Sequence, residues 1–97
     1  MKFMKYRLDA STEFKHSGNI LNCADNSTIN PLNFVITSQM RNIKTGEVHT
    51  VGVQKDGVYV QFSLPPNSLQ LGTYEWRIYL KNQMVSWVTA RTVVEVI

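Results

Sequence analysis

The sequence has little cysteine and no long hydrophobic stretch. Its 97 residues include one cysteine, Cys23, so no disulfide can form within the chain and a disulfide framework is excluded. No apolar run approaches the roughly 20 residues of a membrane-spanning helix, and the basic start, residues 1–7, leads into no apolar signal segment. We therefore expect a chain that is made and folded in a cytosol.

Motifs for catalysis and ligand binding are also missing. There is no glycine-rich phosphate loop, no Gly-x-Ser-x-Gly elbow and no His-Glu-x-x-His motif. Neither His16 nor His49 is followed by a ligand-type residue two or four positions later. We expect His16 in a loop and His49 on the outer side of a strand. Cys23 lacks a nearby base and is expected to be a small buried thiol. We predict a protein that is not an enzyme and has no metal or cofactor.

Charge of one sign is not concentrated in any part of the chain. Ten Lys and Arg residues against seven Asp and Glu residues give a net charge of +3, and the basic residues are scattered. Proteins that bind nucleic acid usually cluster basic residues on one face or helix. The distribution therefore argues against a nucleic-acid partner, and the mildly basic start is typical of a solvated edge strand.

Period-two alternation of apolar and polar residues is the pattern that the sequence does have. No window shows the apolar spacing of an amphipathic helix, and the length suits one core. The sequence therefore predicts a single all-β domain over residues 1–97. Strands are expected at residues 3–8, 32–37, 48–54, 58–64 and 73–80, with one or two more in 85–97 and one short strand within the polar segment 9–30.

Prolines and glycines indicate where these strands begin and end. Pro31 precedes the strand at 32–37, whose inner face is expected to carry Leu32, Phe34 and Ile36. The Asp-Gly pair at 56–57 predicts a type I′ hairpin turn, because both central residues of that turn have positive φ. The two prolines at 65–66 end the following strand.

The stretch SLQLGTYEWRIYL, residues 68–80, gives the clearest indication of architecture. In immunoglobulin-like sandwiches a Tyr just after a glycine-containing corner turns its ring inward, and its hydroxyl donates to nearby backbone. Tyr74, two residues after Gly72, suits this role, and Trp76 stands where an antibody domain has its second cysteine. The pattern predicts an Ig-like antiparallel β-sandwich of about seven strands, with Phe34, Phe62, Tyr74 and Trp76 in one interior.

A family resemblance extends over residues 32–97. It rests on NFVIT at 33–37, on DGV at 56–58 leading into FSLP at 62–65, on Leu69 with GTY at 72–74, and on the alternating valines near the end of the sequence. In these features the chain resembles the N-terminal domain of phage baseplate upper proteins, an Ig-like β-sandwich. The resemblance implies a structural or assembly module of a phage or prophage tail or baseplate, made in the host cytoplasm and located in the virion. It carries over no catalytic or ligand residue.

Surface side chains are the remaining candidates for function. Tyr59 and Tyr79, together with Trp87, are expected on strand faces that point away from the core, where they either form a contact patch or close a second small core under residues 9–30. The predicted protein-contact residues are Lys5, Arg7, Tyr59, Arg77 and Tyr79. The partners would be other virion subunits or copies of the same chain. The alternative is an adhesion or carbohydrate-binding module, because aromatic rings among Asn and Gln can stack on sugars.

Overall fold

The computed structural model describes residues 4–21, 25, 27–89 and 92–97. These residues form eight strands and one 3-10 helix, so the all-β prediction is confirmed, with one strand more than expected. The strands are β1 (Met4–Leu8), β2 (Phe14–Gly18), β3 (Val35–Asn42), β4 (Val48–Asp56), β5 (Tyr59–Leu64), β6 (Gly72–Lys81), β7 (Ser86–Val88) and β8 (Thr92–Val96). The described residues include no helix with the length and apolar character needed to cross a membrane. Cys23, expected to be buried, lies outside the described residues.

The strands form one mixed sheet in the order β1-β8-β6-β3-β4-β5-β2, and β7 pairs with β6 next to β8. All pairs are antiparallel except β1 and β8, which run parallel. The prediction of a wholly antiparallel arrangement is therefore wrong at this edge. Because β1 and β8 stand at opposite ends of the sequence, no tight hairpin forces them to run in opposite directions.

Strand β4 divides this sheet into two parts. Its first residues, 48–51, pair with β3, and its remaining residues, 52–56, pair with β5. We call β1, β8, β6, β7, β3 and the start of β4 the large part, and the end of β4 with β5 and β2 the small part. The division falls at Gly52, where an added Cβ would lie 3.1 Å from the carbonyl oxygen of Ser63. Glycine thus permits the close approach of β5 at the point where β4 changes neighbours.

Both parts contribute to one hydrophobic core. Trp76 of β6 meets Phe14 of β2 and Phe62 of β5 edge-on, with ring centroids 5.1 and 5.5 Å apart. The ring of Tyr6 on β1 also contacts Phe14, so the two ends of the sheet approach each other and the sheet is nearly closed. The buried apolar residues are Leu8, Phe14, Ile36, Met40, Val51, Val60, Phe62, Leu64, Leu69, Tyr74, Trp76, Leu80, Val94 and Val96.

The corner before β6 forms as the sequence predicts. Tyr74 is buried, and its hydroxyl donates a hydrogen bond to the backbone carbonyl of Gln70 at 3.0 Å. Gly72 has a φ of 151°, a conformation that other residues rarely adopt. Burial of Phe62, Tyr74 and Trp76 is confirmed, because all three belong to the core. This corner fixes the direction in which the chain enters β6.

The segment after Pro31 differs from the prediction. It forms a 3-10 helix, Pro31–Asn33, whose first turn is capped by the side chain of Asn30 accepting from the Leu32 N–H at 3.1 Å. Strand β3 consequently begins at Val35, and Leu32 is 70% exposed instead of inward. Phe34 is half-buried and packs against the core from its edge, so its predicted inward position is confirmed only in part. A local side-chain hydrogen bond outcompetes the strand here.

The hairpin between β4 and β5 also differs by one residue from its predicted position. Asp56 pairs with Tyr59, so the two central turn residues are Gly57 and Val58. Gly57 has a φ of 60°, whereas Val58 does not have positive φ. A turn with positive φ at its first central residue alone is of the type II′ kind, so the predicted type I′ turn centred on residues 56–57 is wrong.

Candidate protein-contact face

The alternation of β3 and β6 creates a face of the large part that points away from the core. On β6, Tyr74, Trp76 and Leu80 are buried while the intervening Glu75 and Arg77 remain partly accessible. Strand β3 alternates in the same way, with its buried positions at 36, 38 and 40. We call the opposite side the outer face; it carries Thr37, Gln39, Arg41, Thr73, Glu75, Arg77 and Tyr79.

A shallow groove of about 260 Å³ lies on the outer face, lined by Gln39, Arg41, Glu75, Arg77 and Tyr79. In the ladder between the two strands, Arg41 is directly opposite Glu75 and Gln39 is directly opposite Arg77. Directly opposed residues on one face have Cβ atoms about 4.5–5.5 Å apart. The groove is therefore built from side chains at fixed spacing on two central strands.

Two contacts hold the groove side chains in place. Arg77 Nε forms an ion pair with Glu75 Oε1, and the two side chains are 37% and 13% exposed. Gln39 Nε2 donates a hydrogen bond to the Tyr79 hydroxyl oxygen at 3.0 Å. Arg41 is exposed and forms no ion pair with a carboxylate of the described residues. The groove thus combines fixed side chains with one guanidinium group that faces solvent.

Two predicted contact residues lie at the edge of the large part, on β1. Arg7 is directly opposite Glu95 of β8, and its Nε lies 3.8 Å from Glu95 Oε2, with the Arg7 side chain 70% exposed. Exposed ion pairs of this kind contribute about 0–1 kcal/mol, so Arg7 remains free to exchange partners. Lys5 is opposite Val93 in the same ladder, and its side chain lies outside the described part.

The three aromatic residues expected on outward strand faces do not form a common cluster. Tyr79 hydrogen-bonds to Gln39 on the outer face. Tyr59 is 56% exposed at the hairpin end of the small part, opposite Asp56. The ring of Trp87 lies 5.4 Å from that of Phe34. These contacts place the three rings at separate sites, so they support neither of the predicted alternatives, a shared contact patch or a shared second core.

Both histidines are placed differently from the predictions. His16 belongs to β2 and is not in a loop, and its ring meets the Trp76 ring edge-on at 5.3 Å. His49 is opposite the buried Met40 and its ring lies 6.0 Å from that of Tyr74, so it points inward. Each histidine therefore contacts an aromatic ring of β6, which is distant in sequence and so could not be predicted from local pattern.

Carboxylates in the described ranges do not assemble into a metal-binding group. No group of three or more His, Cys, Asp or Glu residues there could hold a metal ion. Asp9 and Asp25 each accept hydrogen bonds from the backbone N–H and the hydroxyl of the serine two residues later, Ser11 and Ser27. These bonds stabilise the ionised form and lower the pKa of both carboxyl groups. Their role in this arrangement is to fix turns.

Three groove residues were not predicted as contact residues: Gln39, Arg41 and Glu75. The expected strand ended at residue 37, whereas β3 continues to Asn42. The sequence Ser38-Gln39-Met40-Arg41 continues the same alternation, which is the signal that would have extended the strand. Knowing that β3 and β6 are neighbours is then enough to bring Arg41 beside Glu75.

No protein-family model matches the chain, and no curated protein matches its sequence. The residues and the geometry described above are therefore the basis for inferring function.

Proposed function

We propose that the chain is a non-enzymatic structural or assembly module of a phage or prophage tail or baseplate, located in the virion and acting through protein-protein contacts. The observation that carries the proposal is the position of Arg77 and Tyr79 beside each other on the outer face of a central strand, away from the core. Arg and Tyr are enriched where proteins contact each other. Arg7 extends the same surface toward the edge strand.

We also propose that the sheet is a variant of the Ig-like sandwich. The hydrogen bond from Tyr74 to Gln70 supports this, because that family of folds uses such a bond at the corresponding corner. The contact between Phe14 and Trp76 gives further support, because Trp76 stands where an antibody domain has its second cysteine and here bridges the two parts of the sheet. A fold of this kind provides a rigid support for the outer face.

The location in particles can be tested directly. Particles produced by cells that carry the gene would be purified on a density gradient and analysed by quantitative mass spectrometry. We expect the chain to be present at a constant ratio to the tail proteins. Its absence from particles that contain complete tails would contradict the proposal.

The role of the outer face can be tested with matched variants. We expect Arg7→Glu and Tyr79→Ala each to weaken association with the partner or with further copies of the chain, measured by size-exclusion chromatography with light scattering over a range of concentrations. Lys15→Glu, on β2 of the small part, is the control because Lys15 is also an exposed strand residue. Equal association by all of these proteins would contradict the assignment of the contact face.

A carbohydrate-binding module is the second candidate. The hydrogen bond between Gln39 and Tyr79 favours it, because an aromatic ring held beside an amide can stack on a sugar ring while the amide binds a hydroxyl. In that case the chain would remain a monomer at all concentrations and would be retarded on a glycan column. Tyr79→Ala would abolish the retardation.

A further inference from the structure

The charge of the groove defines the kind of group that it can accept. Two guanidinium groups, from Arg41 and Arg77, face one carboxylate, from Glu75, which leaves one net positive charge among the lining residues. The ion pair with Glu75 fixes Arg77, whereas Arg41 has no such partner among the described carboxylates. The lining residues therefore favour an anionic group.

The positions of the donors favour a planar anion. Arg41 and Arg77 are on adjacent strands and are offset by one pair of residues on the same face, since Arg41 opposes Glu75 and Gln39 opposes Arg77. Such diagonal neighbours are close enough for long side chains to meet around one small group. The Tyr79 hydroxyl accepts from Gln39, so its own hydrogen is available to donate. Arginine binds carboxylates through two parallel hydrogen bonds.

We propose that this groove binds the carboxylate of an Asp or Glu side chain on a protein partner, with Arg41 as the principal ligand and Arg77 and Tyr79 as fixed supporting donors. A protein partner is favoured because the groove has an apolar neighbour: Val48, directly opposite Arg41, is 50% exposed. An acidic side chain on a polypeptide brings apolar groups that can cover this valine. The inference rests on the proposed function, since it names the chemistry of the partner.

The test uses the ¹⁵N-labelled full chain, titrated at constant ionic strength with a capped hexaglutamate peptide. We expect amide shifts at residues 39–41 and 75–79. Arg41→Gln should weaken binding about tenfold, because it removes a charge-assisted hydrogen bond. Lys15→Gln, which changes the charge equally on the small part, should leave the affinity unchanged. Because Arg41 is exposed, the variant should fold, which the dispersion of its spectrum verifies.

The same titration is repeated with two other kinds of anion. Inorganic phosphate and trigalacturonate, an acidic sugar, should bind more weakly than hexaglutamate. Tighter, Arg41-dependent binding of either would overturn the assignment to a protein carboxylate. If hexaglutamate causes amide shifts near all basic residues, and these shifts persist in Arg41→Gln, the assignment of the groove as the binding site is wrong. If these tests fail while the chain is still found in particles, the inference is wrong and the proposed function stands.

Discussion

The two tryptophans of the chain occupy very different environments. Trp76 is 7% exposed, and its ring contacts those of Phe14, His16 and Phe62, which all belong to the small part of the sheet. Trp87 is 41% exposed, and within the described part of the chain its ring contacts that of Phe34. Both lie on strands and near phenylalanines, so neither residue type nor strand membership sets the difference.

The position of each strand in the sheet explains the contrast. Trp76 lies on β6, which has β3 on one side and β8 on the other and is covered by the small part. Trp87 lies on β7, a strand of three residues whose partner among the described strands is the end of β6. A central strand is enclosed by neighbours, whereas a short edge strand leaves its side chains partly in water. The outer face is the reverse side of this enclosed strand.

Removal of the Trp76 side chain should have the largest effect. Trp76→Ala deletes the ring that joins the two parts of the sheet, and we expect a loss of about 3–5 kcal/mol in the free energy of unfolding. Urea denaturation followed by far-UV circular dichroism measures this loss. A smaller loss in the free energy of unfolding than for Trp87→Ala would contradict the proposed difference between the two tryptophans.

We expect Ser38→Ala to cause the second largest loss of stability. Ser38 is a buried polar residue whose hydroxyl donates to the Arg77 carbonyl at 2.9 Å and accepts from the Trp76 indole N–H at 2.7 Å. Ser38→Ala leaves that buried N–H without its acceptor, at a cost of about 1–3 kcal/mol. The exposed Ser17→Ala is the control and should change little.

A double variant sharpens this prediction. In a Trp76→Phe background there is no indole N–H to satisfy, so Ser38→Ala should cost less than in the native chain. Equal costs in both backgrounds would show that the hydrogen bond does not link the two residues.

Trp87→Ala should be milder than either change at the core. Since roughly two fifths of the side chain is in water and its ring packs on the half-buried Phe34, we expect a loss of about 1–1.5 kcal/mol in the free energy of unfolding. The same urea experiment measures it. A cost as large as that of Trp76→Ala would mean that β7 closes a second core.

Tyr74→Phe should have the smallest effect, because it removes only the hydroxyl that bonds to Gln70. We expect about 1 kcal/mol, the usual net contribution of one hydrogen bond. Tyr59→Phe, at an exposed position, is the matched control and should be close to neutral. Equal effects would argue against a structural role for the corner.

Period-two alternation was enough to predict the strands from Val48 to Leu80, because each has one buried side whose register the apolar residues define. It also placed Arg77 and Tyr79 on the side of β6 opposite Trp76. Tyr74 was predictable in more detail, since the glycine-containing corner before it is a local signal. These parts depend on residues close together in sequence.

What could not be predicted depends on contacts between distant residues or on local competition. The parallel pairing of β1 with β8 joins the two ends of the described chain, and no short pattern encodes it. The separation of Tyr59 from Tyr79 follows from the change of neighbours at Gly52. At Leu32 the Asn-Pro pair at 30–31 was a visible sign of a capped turn, but the apolar alternation masked it.

One measurement tests the central contrast most directly: hydrogen exchange of the two indole N–H groups, followed by NMR in the same sample. We expect the Trp76 signal to persist long after that of Trp87 has disappeared, because Ser38 accepts its hydrogen bond inside the core. Exchange of both signals at the same rate would contradict this expectation.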